Sequence, residues 1–169
     1  MKNLSTAIVF LALASIGSAQ AVASASGPVT RDEVRSAFSK VEPALGRRLG
    51  IKIPASSLKQ GAVPATRVEI VGEFMRVWKA CEPAFRTTPR PYTVYQEVLA
   101  QNNSGPVIRD LTHLIKRGAV APVGPLAWGP KPTLELAEFG DALGTLVHQI
   151  TALSHQPSVK FTPALMKPF

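Results

Sequence analysis

A short motif that occurs three times constrains the fold of this chain more than any other feature of the sequence. Two close copies lie at residues 29–34 (VTRDEV) and 65–70 (ATRVEI), and their glutamates are 36 residues apart. A weaker copy at residues 134–139 (LELAEF) has its glutamate 69 residues after the second one, close to twice that spacing. A period of this size is typical of one supersecondary unit, so the repetition predicts a domain assembled from similar units.

Each copy has the residue pattern of a helix start. In Thr-x-x-Glu before an apolar run, the threonine hydroxyl accepts a hydrogen bond from the glutamate amide, and the glutamate carboxylate accepts one from the threonine amide. Residues 30–33 and 66–69 fit this capping box, and the third copy has Glu135 in the threonine position. The sequence therefore predicts three helices that start at these copies.

The arginines at the first helical position, Arg31 and Arg67, are not required for capping. The positive end of the helix dipole repels a cation there by a few tenths of a kcal/mol. Two interpretations remain open: the arginines are solvated surface residues, or they present guanidinium groups to an anion at the helix N-terminus. In the second interpretation the candidate ligand-binding residues are Thr30, Arg31, Thr66 and Arg67.

The first 21 residues have the pattern of a secretory signal peptide. Lys2 gives the positive start, residues 7–16 the short apolar segment, and residues 19–21 (AQA) a small-x-small cleavage site. We expect residues 22–27 to be a linker, residues 28–156 the helical domain and residues 157–169 a tail. No segment is long and apolar enough for a transmembrane helix. These features predict an exported protein of the cell envelope, in the periplasm or at the cell surface.

The composition indicates the kind of partner. The chain has 19 lysines and arginines against 11 aspartates and glutamates, a formal net charge of +8. An exported basic protein is suited to anionic partners such as acidic wall polymers, phospholipid headgroups or nucleic acid, although a basic surface also serves solubility alone. Cys81 is the single cysteine, so an internal disulfide bond is excluded.

The residue patterns of common enzymes and cofactor sites are absent from the sequence. It contains no Gly-x-Ser-x-Gly, no His-Glu-x-x-His, no phosphate-binding glycine loop and no cysteine pair. His113, His148 and His155 are scattered and do not have the spacing of metal ligands. We therefore expect a non-catalytic protein with neither a cofactor nor a metal.

The apolar periodicity predicts an all-α fold with long loops. Helices are expected over residues 30–41, 44–49, 67–81, 92–100, 106–117 and 135–153. Pro43 separates the first two, Gly50 is expected to end the second, and Gly118 is expected as a left-handed residue that ends the helix over residues 106–117. In the helix over residues 67–81 the apolar side chains face inward, with Glu69, Glu73 and Arg76 largely outside.

Residues 110–120 (DLTHLIKRGAV), the loop residues 128–130 (WGP) and residues 137–139 (AEF) resemble, in order and spacing, an S-layer homology repeat. Such a repeat has a short helix ending in Leu-x-x-x-Gly, a loop with an aromatic-x-Pro signature and a helix start similar to Thr-Arg-Ala-Glu-Phe. Residues 30–34 and 66–70 are similar to that last element. The similarity covers most of the chain after the signal peptide, with the loop signature complete only in residues 106–150.

The resemblance implies three SLH-like repeats whose helices, joined by long Gly- and Pro-containing loops, pack as a pseudo-threefold bundle. In that family the grooves between repeats hold anionic cell-wall glycopolymer or peptidoglycan. The resemblance further implies that Arg31 and Arg67, with Thr30 and Thr66 beside them, line two such grooves. In the third copy Glu135 and Leu136 stand where the family has Thr-Arg, so a cation is missing there.

A helical envelope scaffold that binds a protein partner is the alternative function. Its candidate contact surface comprises Trp78, Trp128 and the basic loop at residues 85–95. A third hypothesis, action on membranes or nucleic acid, requires one continuous cationic face, and no nucleic-acid partner is expected.

Overall fold

The computed structural model describes residues 27–88, 91–129 and 131–155. The predicted signal peptide, residues 22–26 of the predicted linker, and the predicted tail lie outside the described residues. Five α-helices and a short 3-10 helix follow one another: α1 (Arg31–Leu49), α2 (Arg67–Cys81), the 3-10 helix (Glu82–Ala84), α3 (Gln96–Asn102), α4 (Pro106–Lys116) and α5 (Leu136–Ser154). Over these residues the only β-structure is isolated β-bridges. The predicted all-α class is therefore confirmed.

The predicted helix starts are confirmed by their caps. At α1 the Glu33 amide donates to the Thr30 hydroxyl at 3.3 Å, and the Thr30 amide donates to the Glu33 carboxylate at 2.8 Å. Thr66 and Glu69 form the same reciprocal pair at the start of α2, at 3.3 and 2.9 Å. At α5 the Glu135 amide donates to the Glu138 carboxylate at 2.9 Å. All three copies of the motif therefore act locally as predicted.

The prediction of two helices separated at Pro43 is wrong, because α1 runs through this residue to Leu49. A proline inside a helix lacks an amide donor and crowds the preceding turn, at a cost of roughly 3 kcal/mol. Burial compensates for this cost, since Phe38 before the proline and Leu45 after it are both in the core. The helix ends as expected at Gly50, which is left-handed with φ 66°.

The helix predicted over residues 92–100 begins later, at Gln96. The Tyr92 amide instead donates to the Lys116 carbonyl at 3.1 Å, which fixes this segment against the end of α4. The other two predicted helices, α4 and α5, end within one residue of the expected positions. Gly118 after α4 is left-handed, with φ 74°, as predicted.

The segments that precede α1, α2 and α5 contact one another in a cycle, which we call the junction ring. The first amide of each helix donates to the carbonyl four residues before the next of these helices. The three hydrogen bonds are Arg31 to Val63 at 3.0 Å, Arg67 to Pro132 at 2.7 Å and Leu136 to Gly27 at 3.1 Å. Three isolated antiparallel bridges accompany them: Pro28 with Glu135, Thr30 with Pro64, and Thr66 with Thr133. The ring brings three distant parts of the sequence to one end of the domain.

The core lies below the junction ring and is centred on α2, which packs against α1, α4 and α5. Phe38, Phe74 and Phe139 form a cluster with ring centroids 5.9 to 6.5 Å apart. Tilted and edge-on contacts of this kind add to the burial of the rings. None of the helices in the described part of the chain is long and apolar enough to cross a membrane.

Candidate functional site

Arg31 lies where the starts of α1 and α2 meet. Its Nη2 atom is 2.6 Å from Oε1 of Glu69, and the two side chains are 27% and 26% exposed. The arginine of the first motif copy therefore pairs with the capping glutamate of the second. The sequence analysis missed this pair, although an arginine at the first helical position and a glutamate two residues later recur in both copies.

Glu69 has both carboxylate oxygens occupied. Oε2 accepts from the amide of Thr66 at 2.9 Å and from its hydroxyl at 3.0 Å, while Oε1 faces Arg31. Partial burial alone raises the pKa of Glu69, but the hydrogen bonds from Thr66 and Arg31 outweigh it and hold the pKa below its ordinary value. The carboxylate is therefore ionised at neutral pH.

One donor of Arg31 has no partner. Its Nε atom is shielded from solvent, and no described residue accepts a hydrogen bond from it. A buried donor that lacks an acceptor costs about 1–3 kcal/mol. Because Nε is shielded, an external oxyanion can reach Arg31 only at the partly exposed part of its guanidinium group.

Arg67 has a different environment from Arg31, because it is buried, with 5% exposure. Its Nη1 atom donates to the carbonyls of Gly129 at 2.7 Å and Lys131 at 3.3 Å. Nε and Nη2 both donate to the Leu126 carbonyl, at 3.3 and 3.1 Å, and Nη2 also contacts Oδ1 of Asn103 at 3.5 Å. Burial lowers the pKa of Arg67, and the charge of Glu138 only partly offsets this effect. The guanidinium group thus holds the loop that precedes α5.

Thr30 and Thr66 are partly buried, and their hydroxyls are engaged in the caps. Thr30 donates to the Glu33 carboxylate at 2.8 Å, and Thr66 donates to that of Glu69 at 3.0 Å. The ligand-binding role expected for Thr30, Thr66 and Arg67 stays a prediction. The geometry gives each of them an internal role as well.

The third junction, between α5 and α1, has no cation. Leu136 occupies the position that Arg31 and Arg67 have in the other copies. The facing glutamate, Glu33, forms no ion pair within the parts of the chain that the structure describes. The three junctions therefore differ. Arg31 is partly exposed, Arg67 is buried, and Leu136 replaces the arginine in the third copy.

A second polar cluster ties α2 to α1 and corrects the prediction that Glu73 lies outside. Glu73 is 4% exposed and receives Arg76 Nη2 at 2.6 Å, while Arg76 also contacts Glu42 and the carbonyl of Pro54. Burial lowers the pKa of Arg76, but these carboxylates outweigh it and raise the pKa above its ordinary value. Glu73 can be buried because the charge of Arg76 neutralises its own, which helical periodicity alone does not indicate.

Other parts of the described structure offer less for binding or catalysis. A shallow cavity of about 200 Å³ is lined by Glu82, Phe85, Arg86, Thr87, Thr88 and Arg117. No group of three or more His, Cys, Asp or Glu side chains in residues 27–88, 91–129 and 131–155 is arranged to hold a metal ion. Cys81 is buried, which raises the pKa of its thiol to about 11 and disfavours a nucleophilic thiolate.

Comparison with protein-family models, with curated proteins and with solved structures finds no match for this chain.

Proposed function

We propose that this chain is an exported, non-catalytic module of the cell envelope that binds an acidic cell-wall polymer or peptidoglycan. In this proposal the three motif copies are SLH-like repeats packed as a pseudo-threefold bundle. The junction ring supports this arrangement, because its three hydrogen bonds relate the copies in a closed cycle. The net charge of +8 supports an anionic ligand.

The observation that carries the proposal is the position and partial exposure of the Arg31 side chain. This side chain is partly exposed at a junction between two copies, and its Nε atom has no acceptor among the described residues. In our proposal a carboxylate or phosphate of the polymer contacts the exposed part of this guanidinium group rather than the shielded Nε atom. Glu69 neutralises part of the charge, so we expect binding at this single site to be weak.

The test is co-sedimentation of the protein with isolated wall sacculi at low and high salt. Because the attraction is partly electrostatic, we expect binding at low salt that falls as salt rises. Arg31→Ala is expected to weaken binding about tenfold, the loss of one charge-assisted hydrogen bond. Arg109→Ala is the matched control, because Arg109 is an exposed arginine on α4, outside the three motif copies.

A second arm of the experiment separates the two ligands. Sacculi stripped of their acidic polymer by acid extraction are compared with native sacculi. Loss of binding after extraction identifies the acidic polymer, whereas retained binding identifies peptidoglycan. Equal binding by Arg31→Ala, Arg109→Ala and the unaltered protein would contradict the site at Arg31.

A scaffold that binds a protein partner is the second candidate function. It is favoured by the internal partners of both arginines, Glu69 for Arg31 and the loop carbonyls for Arg67. In this case the arginines stabilise the repeat rather than contact a ligand. A folded helical protein that does not sediment with either kind of sacculi at low salt would support it over wall binding.

A further inference from the structure

The loop between α4 and α5 is held by one side chain of α2 and by one from the residue that follows α3. Arg67 of α2 binds three of its carbonyls, and Asn103 after α3 donates to a fourth, that of Ala127, at 3.0 Å. Within the loop the amides of Ala127 and Trp128 both donate to the Gly124 carbonyl, at 3.0 and 2.8 Å. These hydrogen bonds fix the backbone on both sides of Trp128.

Trp128 is an aromatic side chain that this loop leaves outside. It is 51% exposed, whereas its neighbours Leu126 and Ala127 are in the core. Since the backbone is anchored by a buried arginine, the exposure is a fixed feature of the loop. An indole side chain with half of its surface in water loses the hydrophobic stabilisation that burial provides. The indole ring of Trp128 is therefore exposed on a loop whose backbone is fixed by hydrogen bonds.

We infer that Trp128 is a stacking platform for a sugar ring of the wall glycan. This inference rests on the proposed function. The face of the indole ring has a negative electrostatic potential, and the axial C–H groups of a hexose form an apolar, weakly positive face that fits it. Lys131, three residues along, is paired with Glu135 at 3.2 Å, but its side chain is 70% exposed, so its ammonium group can also face an acidic substituent of the same polymer.

A sugar fits this surface better than a protein does. A stable protein interface buries about 800 Å² on each partner around a cluster of apolar anchors. Between α4 and α5 the exposed large apolar residues of the described segments are Val123 and Trp128. Trp128 is flanked by Gly129 and followed by the charged Lys131, so it offers one aromatic surface about the size of one sugar ring.

Intrinsic fluorescence tests the inference because the two tryptophans have opposite environments. Trp78 is fully buried and Trp128 is half exposed, so quenching by acrylamide reports mainly on Trp128. The probe is the mixture of soluble glycan fragments that a muramidase releases from sacculi. We expect the fragments to reduce the quenching constant at least twofold. Unchanged quenching at saturating fragment concentration would overturn the inference.

Variants give the second measurement. We expect Trp128→Ala to weaken sedimentation with sacculi roughly three- to tenfold. Trp128→Tyr should recover part of this loss, because it keeps an aromatic face. Val123→Ala is the matched control: it is on the same loop, more exposed than Trp128, and is expected to bind as the unaltered protein does. Far-UV circular dichroism establishes that each variant is folded.

The outcomes separate this inference from the proposed function. If Trp128→Ala binds as tightly as the unaltered protein while Arg31→Ala loses binding, the stacking platform is excluded and the proposed function stands. If the unaltered protein does not bind sacculi in any condition, both are overturned.

Discussion

At the scale of single residues, one ionisable group and one glycine show most directly how local chemistry fixes this structure. Glu69 serves its own helix through the cap and the neighbouring copy through Arg31. Gly118 lets the chain turn at the end of α4 with φ 74°, directly against Tyr92 and Gln149. Glu69 thus holds two segments of the junction ring together, and Gly118 determines how the chain leaves α4.

Stability should depend on the ionisation of Glu69. Its pKa is lower in the folded protein than its ordinary value of 4.5, so its contribution is fully present above that pH and is lost as pH falls through the folded pKa. We expect Glu69→Gln to lower the melting temperature at pH 7 and to have a smaller effect near pH 3. Glu97→Gln, an exposed residue on α3, is the control. A difference that does not change with pH would show that the charge of Glu69 is unimportant.

Gly118→Ala should destabilise the protein. A Cβ atom there would lie 2.7 Å from Tyr92 Cε2 and 3.1 Å from Gln149 Nε2, in a left-handed conformation that costs about 1–2 kcal/mol without glycine. We expect a loss of about 2–3 kcal/mol in the free energy of unfolding, measured with urea.

Gly72→Ala is the matched control for Gly118→Ala. Gly72 lies inside α2, and an added Cβ meets nothing within 4 Å. Alanine at such a position should stabilise the helix by roughly 0.5–1 kcal/mol. Equal effects of the two substitutions would contradict the crowding described at Gly118.

At the scale of elements, α1 and α2 are joined by charges and carry features that oppose helix formation or burial. α1 contains Pro43, and α2 buries Glu73 against the partly buried Arg76. Each feature is tolerated because tertiary contacts compensate for it: apolar packing on both sides of the proline, and ion pairing in α2. A substitution that removes the unfavourable feature should therefore raise the free energy of unfolding. A substitution that removes the compensating contact should lower it.

Pro43→Ala should stabilise the protein. The residue is exposed inside a continuous helix, so alanine restores an amide donor and relieves crowding with the preceding turn. The gain is reduced by the greater freedom of the unfolded chain, and we expect a net of about 1–2 kcal/mol. Thermal unfolding followed at 222 nm measures it. A lower melting temperature would mean that α1 requires a bend at this position.

Arg76→Met should be strongly destabilising, by about 3–5 kcal/mol, because it leaves the buried carboxylate of Glu73 without its partner. Adding Glu73→Gln to this variant should restore much of the loss. The two single variants and the double variant form a thermodynamic cycle, measured by urea unfolding. Additive effects would show that the two side chains are independent.

At the scale of the whole molecule, the junction ring joins segments that begin at residues 27, 63 and 132 of the chain. α1, α2 and α5 all start in this ring and pack into one core. None of them can therefore unfold without breaking hydrogen bonds to the segments that precede the other two. Contacts between such distant parts of the chain favour unfolding in a single cooperative transition.

We expect thermal unfolding followed by far-UV circular dichroism and by tryptophan fluorescence to give the same midpoint. The two probes report on different parts of the molecule, helix content overall and the surroundings of Trp78 in α2. Separate midpoints would show that α1 or α5 unfolds independently of the core.

The parts of this structure that the sequence predicted are those determined by neighbouring residues. The caps at Thr30 and Thr66 and the left-handed Gly118 depend on residues within one turn, so they are readable from a single sequence. The pairing of Arg31 with Glu69 joins residues 38 positions apart, and the enclosure of Arg67 depends on a loop some 60 residues later. Such contacts follow from how the copies pack, which local patterns do not specify.

The junction ring uses backbone amides, and this has a consequence for how the motif can vary. Every residue except proline supplies an amide, so the side chain at the first helical position is free to change without opening the ring. Leu136 in place of an arginine is one such change, and its amide still donates to Gly27 at 3.1 Å. Proline, otherwise well suited to the first position of a helix, is the one residue that this position excludes. The backbone contact and the charge of the side chain thereby belong to different atoms of the same residue, and a copy can lose its cation while it keeps its place in the ring.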